Sequence, residues 1–234
     1  MKFLLIGQPN CGKSTLFNQV CGYKAETGNF TGTTVSFTES KVRLQGQVID
    51  LVDLPGTYTL AGSNQAEQVV LEYLLSHNDY DCIINIVDAS HLGLSLSLTL
   101  ELLELGRPMI LGLNMMDEAD RLGIQIKSQA LAETLGIPVV PMIASKGRGL
   151  KELFIKAMAQ SVQKQIARRQ PYSKPIEEAV QRLSSQTETV QFPLGADSLA
   201  LKLLEGDPII TERISTAEPK LIEQFKPEVG LLEQ

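Results

Sequence analysis

The segment from Gly7 to Ser14 constrains the fold of this chain more than any other. Its letters, GQPNCGKS, match the pattern G-x-x-x-x-G-K-[ST]; an apolar run precedes it at residues 3–6 and a helix-like stretch follows at 15–20. A strand, a glycine-rich turn and a helix in this order form a phosphate-binding loop, in which backbone N–H groups and the helix dipole face phosphate oxygens. The sequence therefore predicts an α/β fold that binds a nucleoside triphosphate.

We expect the nucleotide to contact this phosphate loop along its whole length. Lys13 can reach the β- and γ-phosphates, and the Ser14 hydroxyl can bind Mg²⁺. The helix N-terminus should also favour a thiolate at Cys11, although a small unreactive side chain is the simpler interpretation of that position. The predicted nucleotide contacts within the loop are Gln8, Pro9, Asn10, Cys11, Gly12, Lys13, Ser14 and Thr15.

Composition excludes several classes of protein. With 43% hydrophobic and 21% charged residues the chain is typical of soluble globular proteins, and no apolar run approaches the roughly 18 residues that would span a bilayer. The three cysteines form no C-x-x-C pair and have no histidine at metal-ligand spacing. They therefore indicate neither a disulfide framework nor a zinc site.

Apolar runs alternate with amphipathic stretches along the first two thirds of the chain. A β-rich stretch at 36–44 meets the run at 48–52 across a short connection, which is typical of a hairpin. Because the other runs are separated by helical stretches, we predict a mostly parallel six-stranded sheet with one antiparallel edge strand, covered by helices on both faces. The remaining strands are predicted at 2–6, 82–87, 108–113 and 138–143, and the helices at 65–76, 92–105, 128–135 and 150–166.

The local composition changes after residue 170, where prolines separate short polar helical stretches such as 176–183 and 198–204. We predict two domains, a GTPase-type nucleotide domain at 1–168 and a small all-helical extension at 169–234. A unit as short as the extension is close to the lower size limit for independent stability. We therefore expect it to pack against the nucleotide domain.

Two further motifs follow predicted strands, and ligands of open α/β sheets gather at that edge. In Asp53-Leu-Pro-Gly56 the carboxylate can hold the shell of Mg²⁺, and the glycine N–H can approach a γ-phosphate. In Asn114-Met115-Met-Asp117 the aspartate can accept hydrogen bonds from guanine N1 and N2, while the asparagine braces the base and the phosphate loop. Adenine offers no such pair of donors, so this motif predicts guanine specificity. Each motif alone could be an ordinary turn or cap.

Two loops complete the predicted site. Ala144-Ser145-Lys146 follows a strand at the place where a loop can close over the base. The Gly/Thr-rich stretch 27–34 is suited to a switch, because a threonine there can bind Mg²⁺ only while the γ-phosphate is present; the alternative is an ordinary flexible connection.

The glutamine that orients the attacking water in many small GTPases is missing. Thr57 and Tyr58 follow Gly56 instead. Hydrolysis should therefore depend on another group, and Asn10 is a candidate ligand for a monovalent cation that would neutralise charge near the β/γ-bridge.

Charge is unevenly distributed along the chain. Residues 171–234 carry 11 acidic and 6 basic side chains, so that region is a poor partner for a polyanion. Residues 146–169 hold seven basic side chains against the single acid Glu152. Such a run is usually a solvated helix face, and otherwise it contacts anionic lipid headgroups or RNA. The basic residues are Lys146, Arg148, Lys151, Lys156, Lys164, Arg168 and Arg169.

Taken together, these motifs resemble the cytoplasmic GTPase domain of FeoB, the bacterial ferrous iron transporter family. The resemblance covers about residues 1–160. It rests on GQPNCGKSTLFN at 7–18, GNFTGTTV at 28–35, DLPGTY at 53–58, VDAS at 87–90, LNMMDEA at 113–119 and GRG at 147–149.

The resemblance implies a slow, potassium-activated GTPase that regulates iron passage. It implies that Thr34 is the switch threonine, with Thr33 beside it at the nucleotide, and that Asn10 with the backbone carbonyls of Gly28 and Phe30 holds a potassium ion. The implied magnesium ligands are Ser14, Thr34 and Asp53, and the implied catalytic residues are Asn10, Lys13, Thr34 and Gly56.

The family's small helical domain, which links the nucleotide site to a membrane-embedded permease, corresponds to the helical extension. The permease itself is not in this sequence, so we expect a soluble portion of a transporter at the cytoplasmic face of the bacterial inner membrane. The expected partners are a guanine nucleotide and the permease; a homo-oligomer is left open, and nucleic acid is not expected.

Three positions depart from the family pattern, and two other functions remain as alternatives. Phe30 replaces a usual Trp, Cys11 a usual Ser, and Ala144 a usual Ser whose loss should speed nucleotide release. One alternative is a GTP-dependent module that associates with RNA, supported only by the basic run. The other is specificity for ATP, which would contradict the role given to Asp117.

Overall fold

The structure is a computed structural model, and it describes residues 1–21, 26–29, 36–77, 79–164, 166, 171–187 and 192–219. The predictions made for Phe30, Thr33 and Thr34 lie outside the described residues, as do those for Arg168 and Arg169.

A single mixed sheet forms the centre of the nucleotide domain. Its strand order is β2-β3-β4-β1-β5-β6-β7, and β3 runs antiparallel to both of its neighbours while the other pairs are parallel. The predicted α/β fold with a mostly parallel sheet is confirmed. The strands are β1 (Lys2–Gly7), β2 (Glu26–Asn29), β3 (Ser36–Leu44), β4 (Gln47–Asp53), β5 (Cys82–Asp88), β6 (Met109–Asn114) and β7 (Val139–Pro141).

The structure adds a seventh strand, β2, where the sequence indicated only a loop. Glycine and threonine are typical of a connection, but this segment aligns with the outer edge of β3, from Glu26 opposite Glu39 to Asn29 opposite Ser36. Ladder hydrogen bonds to an open edge override weak local preference. The strand therefore depends on its neighbour and not on its own residues.

The predicted hairpin between β3 and β4 is present, and its turn has two residues where the sequence suggested three. Gln45 and Gly46 both have positive φ, 48° and 80°. Two residues with positive φ match the twist of the flanking strands, which is why tight hairpins favour such turns.

Helices cover both faces of the sheet, because its central strands are apolar on both sides. Phe3 and Leu5 of β1 point into one core cluster, and Leu4 and Ile6 point into the other. The helices are α1 (Lys13–Cys21), α2 (Gln65–Ser76), α3 (Leu92–Glu104), α4 (Met116–Arg121), α5 (Ser128–Leu135), α6 (Leu150–Gln163), α7 (Lys174–Thr187), α8 (Ala196–Leu204) and α9 (Pro208–Ala217).

Helices α7–α9 form the helical extension and pack on the α2/α3 side of the sheet, where their apolar residues join the same core cluster. Polar contacts also hold it there. The Arg213 guanidinium pairs with Glu72 of α2, and Arg107 donates to the carbonyl of Pro193 at 3.0 Å. The domain boundary at 168/169 stays a prediction, because residues 167–170 lie outside the described part of the chain. None of the described helices combines the length and the apolar character needed to cross a bilayer.

Candidate nucleotide-binding site

The phosphate loop connects the carboxyl end of β1 to the start of α1 and forms the wall of a cavity of about 490 Å³. Two of its residues have positive φ, Asn10 at 64° and Gly12 at 87°. At Gly12 a Cβ atom would lie 2.2 Å from the side-chain nitrogen of Asn114, so only glycine fits there. Half of the predicted nucleotide contacts line this cavity: Gln8, Pro9, Asn10, Gly12, Lys13, Ser14, Thr15, Gly56 and Met115.

Lys13 and Ser14, which line the cavity, both contact Asp53 at the end of β4. The Lys13 ammonium pairs with one carboxylate oxygen of Asp53, and the Ser14 hydroxyl lies 3.4 Å from the other. Both members of the ion pair are about nine-tenths buried. Burial raises the pKa of the Asp53 carboxyl, and the charge and hydrogen bond of Lys13 oppose that rise. The cluster therefore places a cation beside two oxygen donors of the kind that Mg²⁺ prefers.

The loop after β4 lies directly against the phosphate loop. The backbone N–H of Thr57 donates to the carbonyl of Gly7 at 3.1 Å. A Cβ atom on Gly56 would come within 3.0 Å of the backbone of Pro9. Thr57, which stands where many GTPases carry glutamine, uses its buried hydroxyl to bond the carbonyl of Thr59 at 2.7 Å. Gly56 therefore lines the cavity, whereas the hydroxyl of Thr57 is used in a hydrogen bond within its own loop.

Asn114 joins the phosphate loop to the loop after β7. Its side-chain N–H donates to the carbonyl of Cys11 at 2.8 Å, and its side-chain oxygen accepts the backbone N–H of Ala144 at 2.9 Å. The side chain is almost fully buried. Met115, which follows with a φ of 60°, carries the chain from β6 into α4 and lines the cavity.

Asp117 lies in the first turn of α4 and pairs with Lys146, whose ammonium is 2.8 Å from the carboxylate. This hydrogen bond is the main reason that the pKa of Asp117 is lowered. The pair remains partly exposed, at 39% for Asp117 and 58% for Lys146. Ala144, Ser145 and Lys146 form a single turn of 3-10 helix after β7. The Asp117 carboxylate is therefore ionised near neutral pH and accessible to a nucleobase.

Of the two interpretations of Cys11, the structure supports the simpler one, a small unreactive side chain. Cys11 is buried, with 2% of its surface exposed, and its Sγ atom would lie 2.9 Å from a Cβ on Gly7. Burial raises the pKa of its thiol to about 11, more than the nearby Lys13 lowers it. A thiolate at this helix N-terminus is not supported, because desolvation outweighs the favourable charge.

The potassium ligands that the family resemblance implied are only partly described. Asn10 lines the cavity, and Gly28 lies in β2 at the edge of the sheet. Phe30 is outside the described residues, so the described part of the chain holds two of the three. Two lysines of the basic run have acidic partners, since Lys146 pairs with Asp117 and Lys156 with Glu152 at 2.8 Å.

Sequence reasoning missed a polar group behind the loop. Ser95 and Thr99 of α3 are buried; Ser95 donates to the side chain of Gln8 at 3.3 Å, and Thr99 donates to the side chain of Asn85 at 2.7 Å. The one signal in the sequence was three hydroxyl residues, at 95, 97 and 99, on an otherwise leucine-rich helix.

Two curated relatives match large parts of the chain. A transport protein A/FeoB fusion protein from Porphyromonas gingivalis is 38% identical over 213 residues, which is 88% of this chain and 25% of that protein. The Fe(2+) transporter FeoB of Escherichia coli is 48% identical over 153 residues, covering 64% of this chain and 20% of that transporter. The chain thus spans no more than about a quarter of the length of these relatives.

A solved structure shows the same arrangement. The cytosolic domain of the T. maritima FeoB iron transporter in its GMPPNP form superposes with a TM-score of 0.84 at 33% identity, covering 91% of this chain and 84% of that one.

Two family models account for most of the sequence. Residues 1–157 match the model of ferrous iron transport protein B, and residues 172–234 match the FeoB cytosolic helical domain. Since the first alone spans well over half of the residues, the chain belongs to the FeoB family and carries its N-terminal G domain followed by its cytosolic helical domain.

Proposed function

We propose that this chain is the GTP-hydrolysing regulatory part of a ferrous iron transporter, with slow turnover that potassium accelerates. Guanine-nucleotide binding is supported by family membership and by the GMPPNP form of the T. maritima domain. The single observation that carries the proposal is that Lys13 and Gly56 line one cavity at the carboxyl edge of the sheet, with Asp53 paired to Lys13 and Asn114 bonded to the phosphate loop.

The charge arrangement explains how a triphosphate would be held. Lys13 is paired with Asp53, and incoming phosphates would take over the ammonium group while freeing the carboxylate. Ser14 and Asp53 present oxygen atoms to one point, which suits Mg²⁺, and Thr34 completes the proposed magnesium set. The ion, when bound, would neutralise charge that develops on the phosphates. Lys13 and the N–H of Gly56 would stabilise the same charge from the protein side.

Guanine selection is assigned to Asp117. Its ionised carboxylate can accept two hydrogen bonds from guanine, whereas adenine offers it no such pair of donors. We expect GTP to displace bound fluorescent GDP at least 100-fold more effectively than ATP does, and Asp117→Ala to remove most of that preference. Equal competition by the two nucleotides in the wild-type protein would contradict the assignment.

Potassium activation is assigned to Asn10, which lines the cavity in a left-handed backbone conformation. A monovalent cation there would act on the β/γ-bridge as an arginine finger does in other GTPases. GTP hydrolysis should be faster in potassium than in sodium for the wild-type protein, and Asn10→Ala should abolish the difference while GDP binding persists. Equal rates in the two salts for the wild-type protein would refute this role.

The transporter-level role rests on the relatives. We propose that the longer protein places this chain at the cytoplasmic face of the bacterial inner membrane, where the helical extension connects the nucleotide site to a membrane-embedded permease. Iron is then the cargo of the permease. A transport assay in which Lys13→Ala lowers iron uptake in the full-length protein would support this role, and unchanged uptake would contradict it.

A further inference from the structure

A group of buried polar side chains connects α3 to the phosphate loop. Gln8, Asn85, Ser95 and Thr99 are each less than 8% exposed. The Gln8 amide donates to the carbonyl of Leu94 at 2.8 Å and accepts the Ser95 hydroxyl at 3.3 Å. The Thr99 hydroxyl donates to the side chain of Asn85 at 2.7 Å, and Asn85 in turn donates to the carbonyl of Ile6 at 3.1 Å.

These contacts are costly to bury and specific in geometry. A buried polar atom without a partner destabilises a protein, so each of these groups depends on the next. An apolar core would pack α3 against β1 and β5 without them. The hydrogen bonds instead require one register of α3 relative to the strands, which is the specificity that satisfied polar networks provide.

These hydrogen bonds end on the two residues that flank Gly7, the first residue of the phosphate loop. Asn85 bonds Ile6, which precedes Gly7, and Ser95 bonds Gln8, which follows it. The carbonyl of Gln8 accepts the backbone N–H of Cys11 at 3.4 Å, which closes the first turn of the loop. The far side of that turn is held independently, because Asn114 bonds the carbonyl of Cys11. The phosphate loop is therefore fixed from α3 at its beginning and from β6 at its end.

Helix α3 also contacts the segment that follows Gly56 and the helical extension. Glu101 accepts the backbone N–H of Leu60, in the segment that follows Gly56, at 2.6 Å. The hydroxyl of Ser198 in the helical extension donates to the carbonyl of Glu104 at the end of α3. A shift of α3 would thus displace the anchor of the phosphate loop.

We propose that Ser95 and Thr99 are positioning residues for nucleotide binding: through Gln8 and Asn85 they hold the phosphate loop in its binding shape before the nucleotide arrives. The inference rests on the nucleotide-binding function proposed above. A loop that populates its competent shape only part of the time binds more weakly by that fraction. Losing one such hydrogen bond therefore weakens affinity beyond any effect on stability.

The test measures GDP affinity and thermal stability together in the intact chain. Thr99→Val and Ser95→Ala each remove one hydroxyl. Thr99→Ser keeps the hydroxyl of residue 99 and removes its methyl group. The matched control is Thr187→Val, because Thr187 is similarly buried and, within the described part of the chain, its hydroxyl bonds the carbonyl of Ser184 in its own helix, at 3.1 Å. Calorimetric titration with GDP gives Kd, and circular dichroism gives Tm for each variant.

We expect Thr99→Val and Ser95→Ala to raise the Kd for GDP roughly threefold to tenfold, in line with one lost hydrogen bond. Thr99→Ser and Thr187→Val should stay within about twofold of wild type, even though Thr187→Val lowers Tm. If Thr99→Val does not fold, Ser95→Ala carries the comparison.

Two results would overturn the inference. One is a wild-type Kd in both hydroxyl-deleted variants; the other is an equal loss of affinity in Thr99→Ser and Thr99→Val, which would assign the effect to packing of the methyl group. A wild-type protein that does not bind GDP would overturn the proposed function as well, so the two failures are distinguishable.

Discussion

Replacing Asn114 by Ala removes the side chain that joins the phosphate loop to the loop after β7. Two hydrogen bonds are lost, at 2.8 Å to the carbonyl of Cys11 and at 2.9 Å from the N–H of Ala144. Both of those residues are buried, with 2% and 1% of their surface exposed, so water does not reach the orphaned groups. The destabilisation should therefore reflect unsatisfied polar groups and not merely two lost contacts.

At about 1–3 kcal/mol for each of the two orphaned groups, we expect Asn114→Ala to lower the free energy of unfolding by about 2–6 kcal/mol. For a chain of this length each kcal/mol shifts Tm by roughly 2–4 °C, which predicts a fall of roughly 4–24 °C. The assay is thermal unfolding of the nucleotide-free protein, followed by circular dichroism. Leaving nucleotide out separates this effect from any contact that Asn114 makes with the base.

Asn64→Ala is the matched control for this prediction. Asn64 is exposed and caps α2 through one hydrogen bond, from the N–H of Glu67 at 3.0 Å. Losing such a cap costs about 1 kcal/mol. An Asn114→Ala protein that unfolds no earlier than Asn64→Ala would refute the reasoning, because it would show that the bonds of Asn114 do not hold the two loops together.

Three other substitutions or treatments test separate features. Lys202→Met should cost about 3 kcal/mol, because Lys202 is buried beside Glu205 at 2.7 Å. Burial lowers the pKa of Lys202, but the acidic neighbours outweigh this and raise it above the ordinary lysine value. The stability that Lys202 contributes is therefore complete below the ordinary lysine pKa of about 10.4 and is lost as pH rises further. Urea unfolding at pH 8 and 11 should show that loss in the wild type only. Gly12→Ala should weaken GDP binding by more than about tenfold, because its Cβ would displace Asn114, and wild-type affinity in a titration would contradict the observed loop. Since burial raises the pKa of all three thiols, iodoacetamide at pH 8 should label the native protein slowly and the unfolded protein at three sites; rapid native labelling of Cys11 would be inconsistent with its burial.

Motifs that are contiguous in sequence were predicted well. The phosphate loop needs only eight neighbouring residues, so its strand, turn and helix could be placed from the sequence. Helix α2 and helix α5 have the bounds predicted, because their apolar spacing and end signals are local. Helix α4 was missed: it is short, and its residues, MDEADR, are mostly charged and carry almost no apolar stripe.

Placement at strand ends could also be reasoned from the sequence. Asp53, Asn114 and Ala144 each follow a predicted strand, and the carboxyl ends of parallel strands share one edge. The residues in question do meet there, as the contact between Asn114 and Ala144 shows. The sequence pattern could not predict the ion pairs of these residues: Asp53 pairs with Lys13, and Asp117 pairs with Lys146.

Local order in the chain was therefore enough to determine the α/β fold and the phosphate loop that lines the cavity, because each depends on neighbours in sequence or on the alternation of strands and helices. Tertiary structure alone decided the seventh strand, the burial that keeps Cys11 a neutral thiol, and the anchoring of Gln8 by Ser95, 87 positions away. These features depend on residues that are distant in sequence but close in space, because burial and hydrogen bonding require only closeness in space.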